Sequence, residues 1–309
     1  MTTKRNELRA FVRGVYDIQK LRIQMGQRIV SNAKVIAGIE PGTKEEDSKE
    51  ADKLMKQLRK EHKRMAEALS VQSRLQLLSL ALKGDESFYD VIRAGERDVL
   101  HGIIASPAHI ALMDIYEELV TTETHQFKAI EKLLSQFSIW NDFLANVSGV
   151  GPAMGGIIIS EIDIAVARYP SSLWKYAGLD VANGKGRTRH KEHLIKREYT
   201  AADGTTQERD SITYNPLLKT KLIGVLGPSF LRAGDNKYSL IYRGYKNRLE
   251  NHSVHKEKTK GHRHNMAIRY MVKRFLVDLY VWWRAAEGLP VAEEYSESKL
   301  RLVHSDAAD

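Results

Sequence analysis

A mainly α-helical chain is the fold class this sequence predicts. An N-terminal helical bundle or coiled coil is expected over residues 1–140, a helix-hairpin-helix-containing domain with a small β-hairpin insertion over 141–290, and a mobile tail over 291–309. Three observations predict it. Apolar residues recur at helical spacing through the N-terminal region, with no convincing strand among them. Between two apolar helical patterns stands Gly149-Val150-Gly151-Pro152, with glycines to turn the chain and a proline suited to the first turn of a helix. Further on, two strand-like runs, His193 to Glu198 and Gln207 to Tyr214, flank the turn residues Ala202-Asp203-Gly204.

The first helix is marked by Leu8, Phe11, Val12, Val15, Ile18, Leu21, Ile23, Met25, Ile29 and Val30, and should stop before Glu40-Pro41-Gly42. Thr43 opens a capping sequence, and the charged helix after it has one apolar face, Leu54, Leu58, Met65 and Leu69. Asp47, Asp52 and the neighbouring glutamates read as a solvated face and not as a two-metal site. A further helical pattern runs from Ser87 to Phe137, through Val91, Ile92, Val99, Leu100, Ile103, Ile104, Leu112, Ile115, Leu119, Phe127, Ile130 and Leu133, with a break at Ser106-Pro107. Pairing of two copies through these N-terminal helices is the expected association.

Both glycines of the Gly149-Val150-Gly151 turn are expected at positive φ, so Gly151→Val should damage it. The backbone amides of Gly149, Gly151 and Ala153 then face outward at a helix N-terminus, which suits one phosphate oxygen. Past Pro170, Ser171 or Ser172 is expected to cap a helix that ends at Gly178 and carries Trp174 and Tyr176, which helical spacing assigns to the core, with stacking on a base as the alternative. Asn215-Pro216 should start a helix that ends near Gly227-Pro228. The last helix takes Met266, Tyr270, Phe275, Leu279 and Trp283 into a core, with His264 either exposed in the basic loop before it or at its cap.

The net charge is +9, and it is not spread evenly: residues 183–264 hold eighteen Lys and Arg against eight Asp and Glu, which leaves the rest near neutral. Within this segment the run from Gly184 to Lys191 combines glycine with Lys185, Arg187, Arg189 and Lys191, a mobile loop suited to tracking phosphates. Lys219, Lys221 and Arg232 are further candidates for the same surface. The expected partner is DNA, with structured RNA as the other candidate. The absence of cysteine excludes disulfides, thiolate zinc sites and cysteine nucleophiles. No run has the length of a membrane span and MTTKRNELRA has no signal-peptide core, so a cytoplasmic protein is expected. His190, His193, His252, His255, His262 and His264 stand among repelling cations, and no metal or other cofactor is assigned to them.

The string V-x-G-V-G-P at 147–152, E-I-D-I at 161–164 and R-Y-P-S-x-x-x-x-Y-A-G-L at 168–179 resembles the C-terminal domain of DEDD-type insertion-sequence transposases, the IS-one-ten group. Asn215-Pro-Leu-Leu-Lys-Thr-Lys-Leu and Tyr242 to Leu249 are similar to later helices of that domain, so the likeness covers Phe143 to Ala286. It implies DNA transposition and recombination as the ancestral activity. Two departures qualify that implication. Family members carry a ribonuclease-H-like domain with a carboxylate tetrad, where this chain has helices. They also carry a nucleophilic serine after A-G-L, where this chain has Asn183, with Thr188 the nearest hydroxyl. A phosphate-gripping protein without its own chemistry is therefore expected. The alternative is an active recombinase with a divergent or partner-supplied site, and a divalent cation such as magnesium enters only there.

Overall fold

A computed structural model of the chain describes residues 2–36, 38–40, 42, 44–68, 70, 72–74, 76, 79, 83 and 107–293. Thr43, Leu69, the periodic positions from Ser87 to Ser106 and the tail beyond residue 293 lie outside them. The described chain is mainly helical, and no helix is long and apolar enough to cross a membrane. It divides into two compact units, Arg13–Lys128, and Met1–Val12 with Ala129–Asp309.

The first unit is built from α1 (Thr2–Ile36) beyond its opening turns, α2 (Lys44–Ala68) and most of α3 (Pro107–Leu134). Ile29 and Ala33 of α1, Leu58 and Met65 of α2, and Ile110, Met113 and Tyr116 of α3 share one buried apolar cluster, as the helical spacing requires. Leu21 and Ile23 of the expected apolar face stay about half exposed. Arg59 pairs with Glu117 at 2.6 Å, Arg74 with Asp114 at 3.0 Å, and Arg22 with Glu123. Partly buried ion pairs of this kind orient the helices more than they stabilise them.

The second unit opens with α4 (Ser138–Asp142), a 3₁₀ turn at Leu144–Asn146 and α5 (Pro152–Glu161). α5 is apolar all round and buried from Met154 onward, and it carries glycine where neighbours come closest. A Cβ on Gly155 would lie 2.4 Å from the Trp140 ring, and one on Gly156 about 3 Å from Ile130 and Val12. At its end Glu161 is fully buried, held by Arg9 at 3.0 Å and by the Asn215 amide at 2.6 Å. Asn215 also caps α7 (Pro216–Lys221), with its side chain accepting from the Leu218 amide.

Helix α6 (Pro170–Tyr176) departs from the expected cap: Tyr169 is the N-cap and makes no side-chain bond, because Pro170 at the first turn already removes one unpaired donor. Its end is as expected. Gly178 has φ +65, its amide bonds Lys175 O and the Leu179 amide bonds Trp174 O, a Schellman stop. Trp174 is partly buried, with its indole N–H on Lys273 O, but Tyr176 is exposed and its hydroxyl accepts from Asn215, so only one of the pair packs inward.

Two small antiparallel hairpins follow. β1 (Val181–Ala182) and β2 (Lys185–Gly186) are joined by Asn183-Gly184, and β3 (Ile195–Thr200) pairs with β4 (Thr206–Ser211) around Gly204 at φ +82. The second is the expected insertion; the first replaces part of an expected mobile loop. α7 then continues without a stop, through a π-helical turn at Leu222–Leu226, into α8 (Gly227–Arg232). The helix does not end at Gly227-Pro228, because the wide turn bonds the Gly227 amide to Leu222 O and tolerates the missing N–H of Pro228. α9 (Lys237–Asn251) has a complete capping box between Asn236 and Ser239. α10 (Lys260–Ala286) starts earlier than expected, capped by Thr259, while His264 instead meets the Tyr242 hydroxyl at 2.6 Å. Phe275 of α10 sits at zero exposure among Phe143, Phe230 and Tyr238, with ring centroids 5.4–6.4 Å away.

Candidate nucleic-acid interface

The turn between the 3₁₀ segment and α5 is shaped by one glycine, not two. Gly149 has φ +95 and its carbonyl accepts from the Ser229 hydroxyl at 2.8 Å. Gly151 has φ −98 and ψ 173, which any residue adopts, so the expectation that it needs positive φ is corrected. Val150 N–H closes back on Val147 O, and the Met154 and Gly155 amides both bond Gly151 O. The amides of Gly149, Gly151 and Ala153 find no acceptor among the described residues. Gly151 is exposed, with nothing within 4 Å of where a Cβ would stand. Three unsatisfied donors at the start of a ten-residue helix, where the dipole is positive, form a place for an anion.

The basic loop is more ordered than its composition suggests. Asn183 and Gly184 have φ +51 and +72, the signature of a two-residue type I′ turn. Asn183, at the position expected for a serine, therefore shapes a turn; its amide donates to Glu192 O at 3.4 Å. The turn puts Asp180 opposite Arg187, whose guanidinium donates to both carboxylate oxygens at 2.6–2.9 Å and whose side chain is only 14% exposed. That pairing raises the Arg187 pKa. Lys219 donates to Arg187 O at 2.6 Å and lies over the Tyr214 ring. Burial first, then Arg269, lowers the Lys219 pKa; burial likewise lowers those of Lys221 and Arg269.

The candidate cations thus fall into two sets. Lys185, Arg189, Lys191 and Arg232 are exposed, whereas Arg187, Lys219 and Lys221 are partly buried. Nearby, Arg243 pairs with Asp235 and Lys237 with Asp278 at 2.8 Å.

No protein-family model, curated protein or solved structure matches this chain. Thr188 has a partner that sequence inspection missed: both its amide and its hydroxyl reach His193 Nδ1, at 3.0 and 2.9 Å. A backbone amide can only donate, so Nδ1 is the acceptor and Nε2–H is left to donate to Ala182 O. The Thr188 hydroxyl also accepts from the His190 amide, a local turn bond. Asp180 carried a readable signal, since Asn183-Gly184 sets a register that brings 180 and 187 face to face, whereas nothing of the kind marked His193 as the partner of Thr188. Among the described residues no three His, Cys, Asp or Glu side chains are placed to share a metal ion.

Proposed function

We propose that this chain is a transposase-related DNA-binding protein. A helix-hairpin-helix formed by the Leu144–Asn146 turn and α5 grips a backbone phosphate, the exposed cations of the basic loop follow the neighbouring phosphates, and the N-terminal helices, as a bundle or coiled coil, pair two copies in the cytoplasm. It works without a carboxylate tetrad or nucleophilic serine of its own, and without a cofactor. The observation that carries the reading is the trio of amides at Gly149, Gly151 and Ala153, with no acceptor among the described residues. The charge excess in residues 183–264 supports it.

A salt titration over duplex DNA, structured RNA and single strands tests the proposal. Duplex affinity is expected to fall linearly on a log–log plot, with a slope that counts the phosphates held. Absence of binding at low salt, or a slope of zero, overturns it.

A second reading, an active recombinase with partner-supplied carboxylates and magnesium, is favoured by one observation: the Thr188 hydroxyl lies 2.9 Å from His193 Nδ1. There the imidazole would accept the hydroxyl proton as Oγ1 attacks phosphorus, and the bond from phosphorus to one sugar oxygen of the strand would break, that oxygen leaving as a hydroxyl with the proton returned by the imidazole. Supercoiled plasmid incubated with the protein and magnesium or manganese should remain intact if the first reading holds. Strand breakage that disappears in Thr188→Ala would establish the second.

A further inference from the structure

Beside the Gly149 turn lies a cavity of about 300 Å³, bounded by Asn146 and Ser148 on one side, Asn236 and Lys237 at the start of α9, and Asp278 and Trp282 of α10. Its aromatic wall is the end of a stack. Phe275 is buried, Phe143 lies nearly parallel to it at 6.4 Å, and Trp282 lies nearly parallel to Phe143 at 5.7 Å. The stack stops at Trp282 with 53% of that residue in solvent. An indole left half bare at a cavity of this size is a platform for one more flat ring.

The polar groups of the cavity define the edge that such a ring must present. Asp278 is fixed through one oxygen, since the Tyr238 hydroxyl and the Lys237 ammonium both reach Oδ2 at 2.8 Å. Neither bond uses Oδ1, which remains an acceptor for an incoming N–H donor. Burial, then Asp278, pushes the Tyr238 pKa up, which keeps its hydroxyl a donor. Lys237, 56% exposed, supplies a donor at the rim, and Asn146, whose Nδ2 donates to Asn141 O, offers its Oδ1; the Asn236 side chain is spent on the cap of α9. Lys237 also disfavours a cationic guest, because its ammonium already sits on Asp278, the one carboxylate that lines the cavity among the described residues. A neutral planar ring with an amine on its edge and an acceptor beside it meets these conditions. Adenine, cytosine and guanine have that edge, whereas the one edge N–H of thymine and uracil, at N3, lies between two carbonyl oxygens that a carboxylate repels.

Ser148 lines this cavity and directly precedes Gly149, whose amide belongs to the proposed phosphate site. Resting on the nucleic-acid reading above, we propose that the cavity receives a single unstacked, amine-bearing nucleobase, stacked on Trp282 and hydrogen-bonded to Asp278, from a strand whose phosphate the Gly149–Ala153 turn holds. The protein then prefers duplexes with an unpaired base to fully paired ones.

The test uses the full chain and labelled DNA duplexes of one sequence, fully paired or carrying a single unpaired A, C, G or T, or an abasic residue in its place. An unpaired A, C or G is expected to bind about tenfold more tightly than the abasic bulge, the size of one base–aromatic stack. Thymine should gain less. Trp282→Ala should abolish the base-dependent gain, and Asp278→Asn should narrow the gap between C and T. Asn146→Trp fills the cavity from its other side and should reproduce the effect of Trp282→Ala, which covers the case in which that variant folds poorly. Equal affinity for base-bearing and abasic bulges, with paired duplex still bound, overturns the base pocket and leaves the phosphate reading standing. A preference that survives Asn146→Trp also overturns it. Failure to bind any of the duplexes overturns both.

Discussion

Gly149→Ala is expected to destabilise the protein by about 3–5 kcal/mol in equilibrium denaturation, the size of a severe core lesion. Two costs combine. At φ +95 the added Cβ meets the preceding backbone, which for an L-residue in left-handed space costs about 1–2 kcal/mol. That Cβ would also lie 2.9 Å from the Phe230 ring and 3.1 Å from the Phe230 backbone nitrogen and Cα. A flexible side chain could move aside, but the backbone of α8 cannot move without disturbing Phe230, which is fully buried against Tyr238 and Phe275. Gly151→Ala is the matched control. Its φ is open to every residue and nothing lies within 4 Å of the new methyl, so stability should be unchanged or raised by about 0.5 kcal/mol through the unfolded state. The Gly151 amide is one of the three that find no acceptor among the described residues, so a methyl on the same residue should hinder a phosphate there and weaken duplex binding. A Gly149→Ala protein with the parent's denaturation midpoint would show that the turn is not locked as described.

The helices were legible because their determinants are local and periodic. Leu54, Leu58 and Met65 of the charged second helix are buried where spacing places them, and Gly178 ends its helix because the left-handed position needs a residue without a Cβ. The β3–β4 hairpin was legible for the same reason, through Ala202-Asp203-Gly204. What composition hid was partnership. Eight residues rich in glycine and cations look like a mobile loop, yet Asn183-Gly184 folds their start into a hairpin and Asp180 neutralises Arg187 across it. The helix running from Pro216 to Arg232 was hidden too, because a π-helical turn leaves no mark in sequence and lets Pro228 stand where an α-helix would break. The cavity between Asn146 and Trp282 was out of reach altogether, since Trp282 looks like one more aromatic on the last helix until Phe143 is placed beneath it.

Lys185, Arg189 and Lys191, replaced together by Ala, should reduce the slope of log affinity against log salt by about 2.7 for duplex DNA, since each phosphate contact contributes about 0.9. Their exposure is what makes them interchangeable with counterions. Lys185 is 71% exposed and its 3.5 Å contact with Glu192 is a surface pair of little worth, so it is available to a phosphate. Arg187→Ala should behave in the opposite way. Its guanidinium is already satisfied by Asp180, so the salt slope should barely change, while loss of a charge-assisted bidentate pair should lower stability by about 2 kcal/mol. Measuring both quantities on both proteins separates charge that meets the ligand from charge that shapes the loop. If Arg187→Ala alone flattens the slope while the triple variant does not, the phosphate-tracking role proposed for the exposed cations passes to the partly buried Arg187.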